Sequence, residues 1–114
     1  AVDQIEKAMK LSPNYPPYYL GILGNAYHLA GRVDEAISAF KAYDDRSSGF
    51  GLVDLVIIYQ QHGRTEDAKE AAGRLMKARR GFTISSWLET QFRRDQKQLE
   101  QDVASLREAG LPFA

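Results

Sequence analysis

At 114 residues, with 15 basic and 15 acidic side chains, the chain is the length of one domain and carries no net charge. That balance gives no general attraction to nucleic acid or to an anionic membrane. The absence of cysteine removes disulfides and thiolate metal sites, and no run of about 18 apolar residues is present to cross a bilayer, so the chain is expected to be soluble.

Residues 1–11, AVDQIEKAMKL, put Val2, Ile5 and Met9 on one helical stripe with no N-cap ahead of them, so the chain is expected to open inside a helix. SPNYPP over residues 12–17 is a connector. Pro13 ends the first helix, and Pro16 or Pro17 suits the first turn of the next.

The stretch from Leu20 to Tyr43 reads as two antiparallel helices folded at Gly31. Leu20, Leu23, Gly24 and Tyr27 form one face, and Val33, Ala36, Ile37, Phe40 and Tyr43 form the other. Gly24 and Ala36 are small where bulk is expected, so the helices are predicted to approach closely, with Tyr27 and Phe40 filling the space around them. Asp34 and Glu35 favour the start of the second helix through its dipole. Gly31 stands where a left-handed residue closes a helix.

The pattern then repeats. AYHLAGRVDEAI and IYQQHGRTEDAK align so that Tyr27, Gly31 and Ala36 match Tyr59, Gly63 and Ala68, and Glu66 and Asp67 take the places of the earlier acids. The fourth helix, about Phe50 to His62, is apolar almost all round, with Asp54 the lone charge in its first turns. Such a helix is buried on more than one side. A fifth helix runs from about Thr65 to Ala78 and ends in KARR and Gly81. Beyond it Ile84, Trp87, Leu88 and Phe92 form a short stripe, with Ser85 and Ser86 as helix-start residues. A last helix from about Asp95 to Ala109 carries Leu99, Val103 and Leu106 on its apolar seam. Its other side, predicted to face water, holds Gln96, Lys97, Gln98, Glu100, Gln101, Asp102, Arg107 and Glu108. Gly110 and Pro112 stop it.

At these positions the sequence resembles the tetratricopeptide repeat (TPR) family, whose pattern of large residue, Leu-Gly, Tyr, Gly, Ala, Phe, Ala and Pro spans about 34 residues. The first full unit supplies Leu20, Leu23, Gly24, Tyr27, Gly31, Ala36 and Phe40, with Tyr43 for the later Ala and Ser48 for the Pro. The second supplies Leu52, Leu55, Tyr59, Gly63 and Ala68, while Val56 replaces the Gly, Ala72 the Phe and Arg80 the Pro. Ala1, Ala8 and Pro13 fit the second half of a further unit, which implies a piece of a longer protein whose preceding helix lies upstream. The resemblance implies an all-α, TPR-like right-handed superhelix of helix hairpins. Residues 1–14 would be the second helix of a truncated repeat, 17–48 and 49–82 two repeats, and 83–114 capping helices. A truncated first unit would leave apolar surface open to self-association.

The entry PNYPPYYLGILGNAY and the closing LREAGLP look like the carboxyl-terminal region of multidomain bacterial class III adenylate or guanylate cyclases. In these a catalytic domain precedes a TPR-containing regulatory region, which implies a cytoplasmic signalling protein. The TPR resemblance points Tyr18, Asn25, His28, Phe50, Val53, Ile57 and Gln60 toward a protein-binding groove. The plainer reading of Val53 and Ile57 is a central place in the stack, and the two are compatible if a partner or the chain's own tail covers the groove. Some TPR proteins clamp a C-terminal carboxylate, and Asn25 occupies one matching position, but Gly21, Val53 and Ile57 supply no charge at the others.

Catalytic signals are sparse. His28 and His62, near the ends of equivalent helices, are the only metal-ligand imidazoles. Ser85 and Ser86 lack a neighbouring His and Asp pattern, and nothing implies a cofactor. Lys77, Arg79, Arg80, Arg93, Arg94 and Lys97 beside Trp87 and Phe92 could stack on bases, but the interleaved Glu89, Asp95 and Glu100 read as a solvated surface. The sequence therefore points to a non-catalytic module that binds a protein, a peptide or a neighbouring domain of the same polypeptide, with no nucleic acid, membrane, metal or cofactor. A homodimer through the first helix or the groove is the alternative, and a nucleic-acid-binding helical domain a further one.

Overall fold

The computed structural model describes residues 2–91 and 94–114 and contains no strand among them. Its helices are α1 (Val2–Leu11), α2 (Tyr18–Leu29), α3 (Val33–Arg46), α4 (Phe50–Gln61), α5 (Thr65–Ala78), α6 (Ile84–Leu88) and α7 (Gln96–Glu108). Phe92 and Arg93, which the sequence places in the apolar stripe and the basic group, lie outside the described residues, as does Ala1. The chain divides into two units, one up to Leu55 and one from Val56 onward, with the division inside α4.

In the first unit α2 packs on α3 and α1 on α2. Leu20, Leu23, Ala26 and Tyr27 are buried from α2, and Ala36, Ile37, Ala39 and Phe40 from α3. Gly24 lies against the Phe40 ring, so close that a Cβ there would overlap it. The small residue admits the large one, as the pattern predicts, and burying that ring contributes about 1.5–3 kcal/mol. The Tyr27 hydroxyl donates to Glu6 Oε2 at 3.2 Å, tying α1 to α2.

The entry to α4 rests on two residues of α3. Asp44 Oδ1 accepts from the backbone N–H of Gly49 at 2.8 Å and of Leu52 at 3.2 Å. It supplies from a neighbouring helix the acceptors that an N-cap side chain normally provides. Gly51 faces the Phe40 carbonyl and the Asp44 backbone so closely that a Cβ would collide with both.

In the second unit Val56, Ile57, Ile58 and Tyr59 of α4 are buried, together with Ala68, Ala71, Ala72 and Leu75 of α5. Ile84 and Trp87 of α6 and Leu106 of α7 complete this core, and α6 packs on α7. Here one expectation is corrected. Asp102, assigned to the wet side of the last helix, is buried, whereas Leu99 and Val103 of its apolar seam are only half-buried. Burial of the carboxylate is compensated: Asp102 Oδ2 accepts from Arg94 at 3.1 Å and Oδ1 from Gln61 Nε2 at 2.9 Å. The Arg94 guanidinium in turn lies over the Trp87 ring, 5.1 Å from its centroid. A buried charge persists where it is paired and hydrogen-bonded.

Each unit contains the same helix-ending turn. Gly31 has φ 79° and Gly63 φ 75°. The Gly31 N–H donates to the His28 carbonyl and the Arg32 N–H to the Tyr27 carbonyl at 2.9 Å; the Gly63 N–H donates to Gln60 and the Arg64 N–H to Tyr59 at 2.8 Å. This paired closure satisfies the last carbonyls of α2 and α4. The arginine after each glycine then does two further things. Arg32 lies 4.6 Å over the Tyr27 ring and donates through Nε to Glu35 at 2.7 Å; Arg64 lies 4.6 Å over Tyr59 and donates through Nε to Asp67 at 2.8 Å. Tyrosine, glycine, arginine and acid recur at one offset.

Candidate functional site

Tyr18, Asn25 and His28 fall seven and ten residues apart on α2 and share one helical face. Tyr18 is 50% exposed, while Asn25 and His28 are half-buried. Gly21 lies on the same face, and the Tyr43 ring of α3 stands 2.8 Å from where its Cβ would be. Tyr43 therefore closes over this face between Tyr18 and Asn25.

Phe50, Val53, Ile57 and Gln60 share a face of α4 by the same spacing. Phe50 is 46% exposed, but Val53 and Ile57 are only 2% and 4% exposed, so the chain itself covers the apolar middle of this face. Gln60 is half-buried; its Nε2 donates to Glu108 at 3.2 Å, and its Oε1 is shut from solvent without a hydrogen-bond partner. Of the sequence-derived groove residues, Tyr18 and Phe50 are those with their side chains open to solvent.

Around Tyr18 the structure adds residues that the groove assignment left out. Tyr18 meets Tyr19 edge-on, with centroids 5.1 Å apart, and Tyr19 stacks with Tyr15 at 6.1 Å. The Arg46 guanidinium sits 4.8 Å over the Tyr15 ring and donates to the Tyr15 carbonyl at 3.0 Å. Pro16 and Pro17 fix this arrangement, because Pro17, with φ −53°, precedes the first turn of α2 and sets Tyr18 and Tyr19 side by side at its start. The run NYPPYY was the available sequence signal; Arg46, remote in sequence, carried none.

Electrostatics at the hairpin turn are local. Burial, then the facing Glu6 carboxylate, push the Tyr27 phenol above its ordinary value. The Arg32 hydrogen bond holds the Glu35 carboxyl below the usual carboxylate range, and the reciprocal bond raises Arg32.

Among the described residues no group of three or more His, Asp or Glu is placed to hold a metal. The basic group near Trp87 is also reshaped. Arg94 is buried against Asp102 rather than solvated, and Arg79 lies 5.2 Å over the Phe82 ring. Among the described residues no helix is long and apolar enough to cross a membrane. No protein-family model matches the chain, and no curated protein matches it.

Proposed function

We propose that the chain is a non-catalytic protein-interaction module of TPR-like architecture, serving as a regulatory or scaffolding part of a larger bacterial signalling polypeptide of the cyclase-like kind. The observation that carries this reading is the aromatic cluster at the start of α2, where exposed Tyr18 meets half-buried Tyr19 and Tyr15 beside Arg46. Tyrosine and arginine are the residues that concentrate binding energy at protein interfaces, and the prolines ahead of α2 hold them in place before a partner arrives, which lowers the ordering cost of association. The duplicated Tyr-Gly-Arg-acid turn supports a repeat scaffold, since each such unit buries its face against neighbours and leaves surface as its product.

The test is site-directed photocrosslinking in the intact polypeptide. A photoreactive phenylalanine at position 18 or 50 is expected to capture one partner, or the neighbouring domain, while the same group at Lys69 on α5 captures nothing. Equal capture from all three positions, or none from 18 and 50, would refute the reading.

Self-association is the second reading, and one observation favours it. No residue of α1 is fully buried, Leu11 is 76% exposed and Leu29 on α2 is 68% exposed. A dimer through α1 would cover that surface. Sedimentation showing monomer alone at high concentration would exclude it.

A further inference from the structure

Arg32, Arg46 and Arg64 each lie on a tyrosine ring, and the first and last of them also hold a carboxylate. Arg32, 4.6 Å over Tyr27, is paired with Glu35; Arg64, 4.6 Å over Tyr59, is paired with Asp67. Arg46, 4.8 Å over Tyr15, donates to the Tyr15 carbonyl at 3.0 Å and has no carboxylate partner among the described residues. The acids next to it on α3 are directed elsewhere. Asp44 Oδ1 accepts from the Gly49 and Leu52 amides, and Asp45, one residue before Arg46, stands about 100° away around the helix.

A guanidinium carries its N–H donors on a planar fork that matches a carboxylate. In Arg46 that fork is exposed, and the ring and carbonyl of Tyr15 already hold it in place, so little ordering remains to be done when an anion arrives. Close by, Tyr18 is 50% exposed and meets Tyr19 edge-on, which leaves its ring open to an apolar side chain. The chain has no net charge, so no general field gathers anions and the selection is made locally by the fork. We propose that Arg46 completes its pair with a side-chain carboxylate of a partner protein, an Asp or Glu in a segment that lays an aromatic side chain on Tyr18. The inference rests on the reading of the α2 aromatic cluster as a partner-binding surface, and it adds the chemistry of the partner.

The experiment is an NMR titration of the full chain with the peptide acetyl-Phe-Ala-Glu-amide. Its capped end leaves the Glu side chain as the one carboxylate, and in an extended peptide its first and third side chains share a side. The Arg46 Nε–H and Tyr18 ring signals are expected to shift saturably, and the same peptide with Gln for Glu is expected to bind about threefold to fivefold more weakly, the upper range for an exposed ion pair. Arg32 and Arg64, already paired, and Arg74, exposed on α5, are expected not to respond. Arg46→Gln is expected to abolish the preference for the Glu peptide while the Tyr27 and Phe40 signals of the hairpin stay in place. No saturable shift at Arg46, equal shifts at Arg46 and Arg74, or equal affinity for the two peptides would overturn the proposal. So would an octathymidylate that moves the same signals more strongly than the Glu peptide, because the fork would then belong to phosphate. A partner captured by photocrosslinking at position 18 equally well with and without Arg46→Gln would overturn this inference and leave the reading of the surface standing.

Discussion

Replacing Asp102 with Ala removes the carboxylate that receives Arg94 and Gln61. The two losses differ in size. Gln61 is exposed and its amide passes to water, so its bond contributes little. Arg94 and Asp102 have side chains only 9% and 4% exposed, and the guanidinium left behind has the Trp87 face but not this counter-ion. Removing one partner of a covered ion pair costs about 3–5 kcal/mol, a large share of the roughly 5–15 kcal/mol that holds a domain together. Removing both charges with Arg94→Met and Asp102→Leu should recover most of that loss, since exchanging a covered ion pair for apolar side chains of similar volume is often neutral. Urea unfolding followed by Trp87, the single tryptophan, measures Asp102→Ala, the double variant and its two single parts. A cost under about 1 kcal/mol for Asp102→Ala, or a double variant as unstable as the sum of its parts, would refute the argument.

Other consequences follow from the first unit. Gly51→Ala drives a methyl into the Phe40 carbonyl and the Asp44 backbone and should cost about 1–3 kcal/mol by thermal unfolding. Asp44→Ala frees the Gly49 and Leu52 amides and should cost about 0.5–2 kcal/mol, as loss of a cap does. The pH dependence has two limbs. Glu35, with its carboxyl lowered, stabilises the fold above the ordinary carboxylate range, and that contribution disappears as pH falls through its folded value. Glu35→Gln should flatten that part of the acid limb. Tyr27, with its phenol raised, contributes fully below about pH 10 and loses that contribution as pH rises through its folded value. Tyr27→Phe should remove the corresponding alkaline loss in a denaturation series.

The helices were legible because local rules govern them. Gly31 and Gly63 mark left-handed closures that depend on one residue and its neighbours, and the apolar spacing of α2 and α3 fixes which sides meet. The Gly24–Phe40 fit was legible for the same reason, since two periodic faces must supply complementary volumes. Asp102 follows helical periodicity, which assigns a carboxylate to water unless its partner is known, and Arg94, just ahead of the Asp95 N-cap, reaches it from eight residues away, a pairing no motif marks. Asp44 and Gly51 act across a helix junction, so neither a capping motif beside α4 nor a turn at Gly51 announced them. In the groove set, Tyr18 and Phe50 are exposed, as aromatic residues at the start of a helix can be, but residue type says nothing of a partner. It could not distinguish an open apolar position from a covered one at Val53 and Ile57, because a groove wall and a core look alike in composition.

The central claim is that one glycine-hinged hairpin is written twice, and alanine of either hand at positions 31 and 63 tests it most directly. Beyond its own chain neighbours, neither glycine has an atom within 4 Å of where a Cβ would lie, so the response isolates the backbone. Unfolding free energies should fall by about 1–2 kcal/mol for L-alanine at each position. D-alanine, which favours positive φ, should leave them unchanged or raise them by about 0.4–1 kcal/mol. The same sign for both hands, or a handed response at one position and not the other, would contradict the duplication.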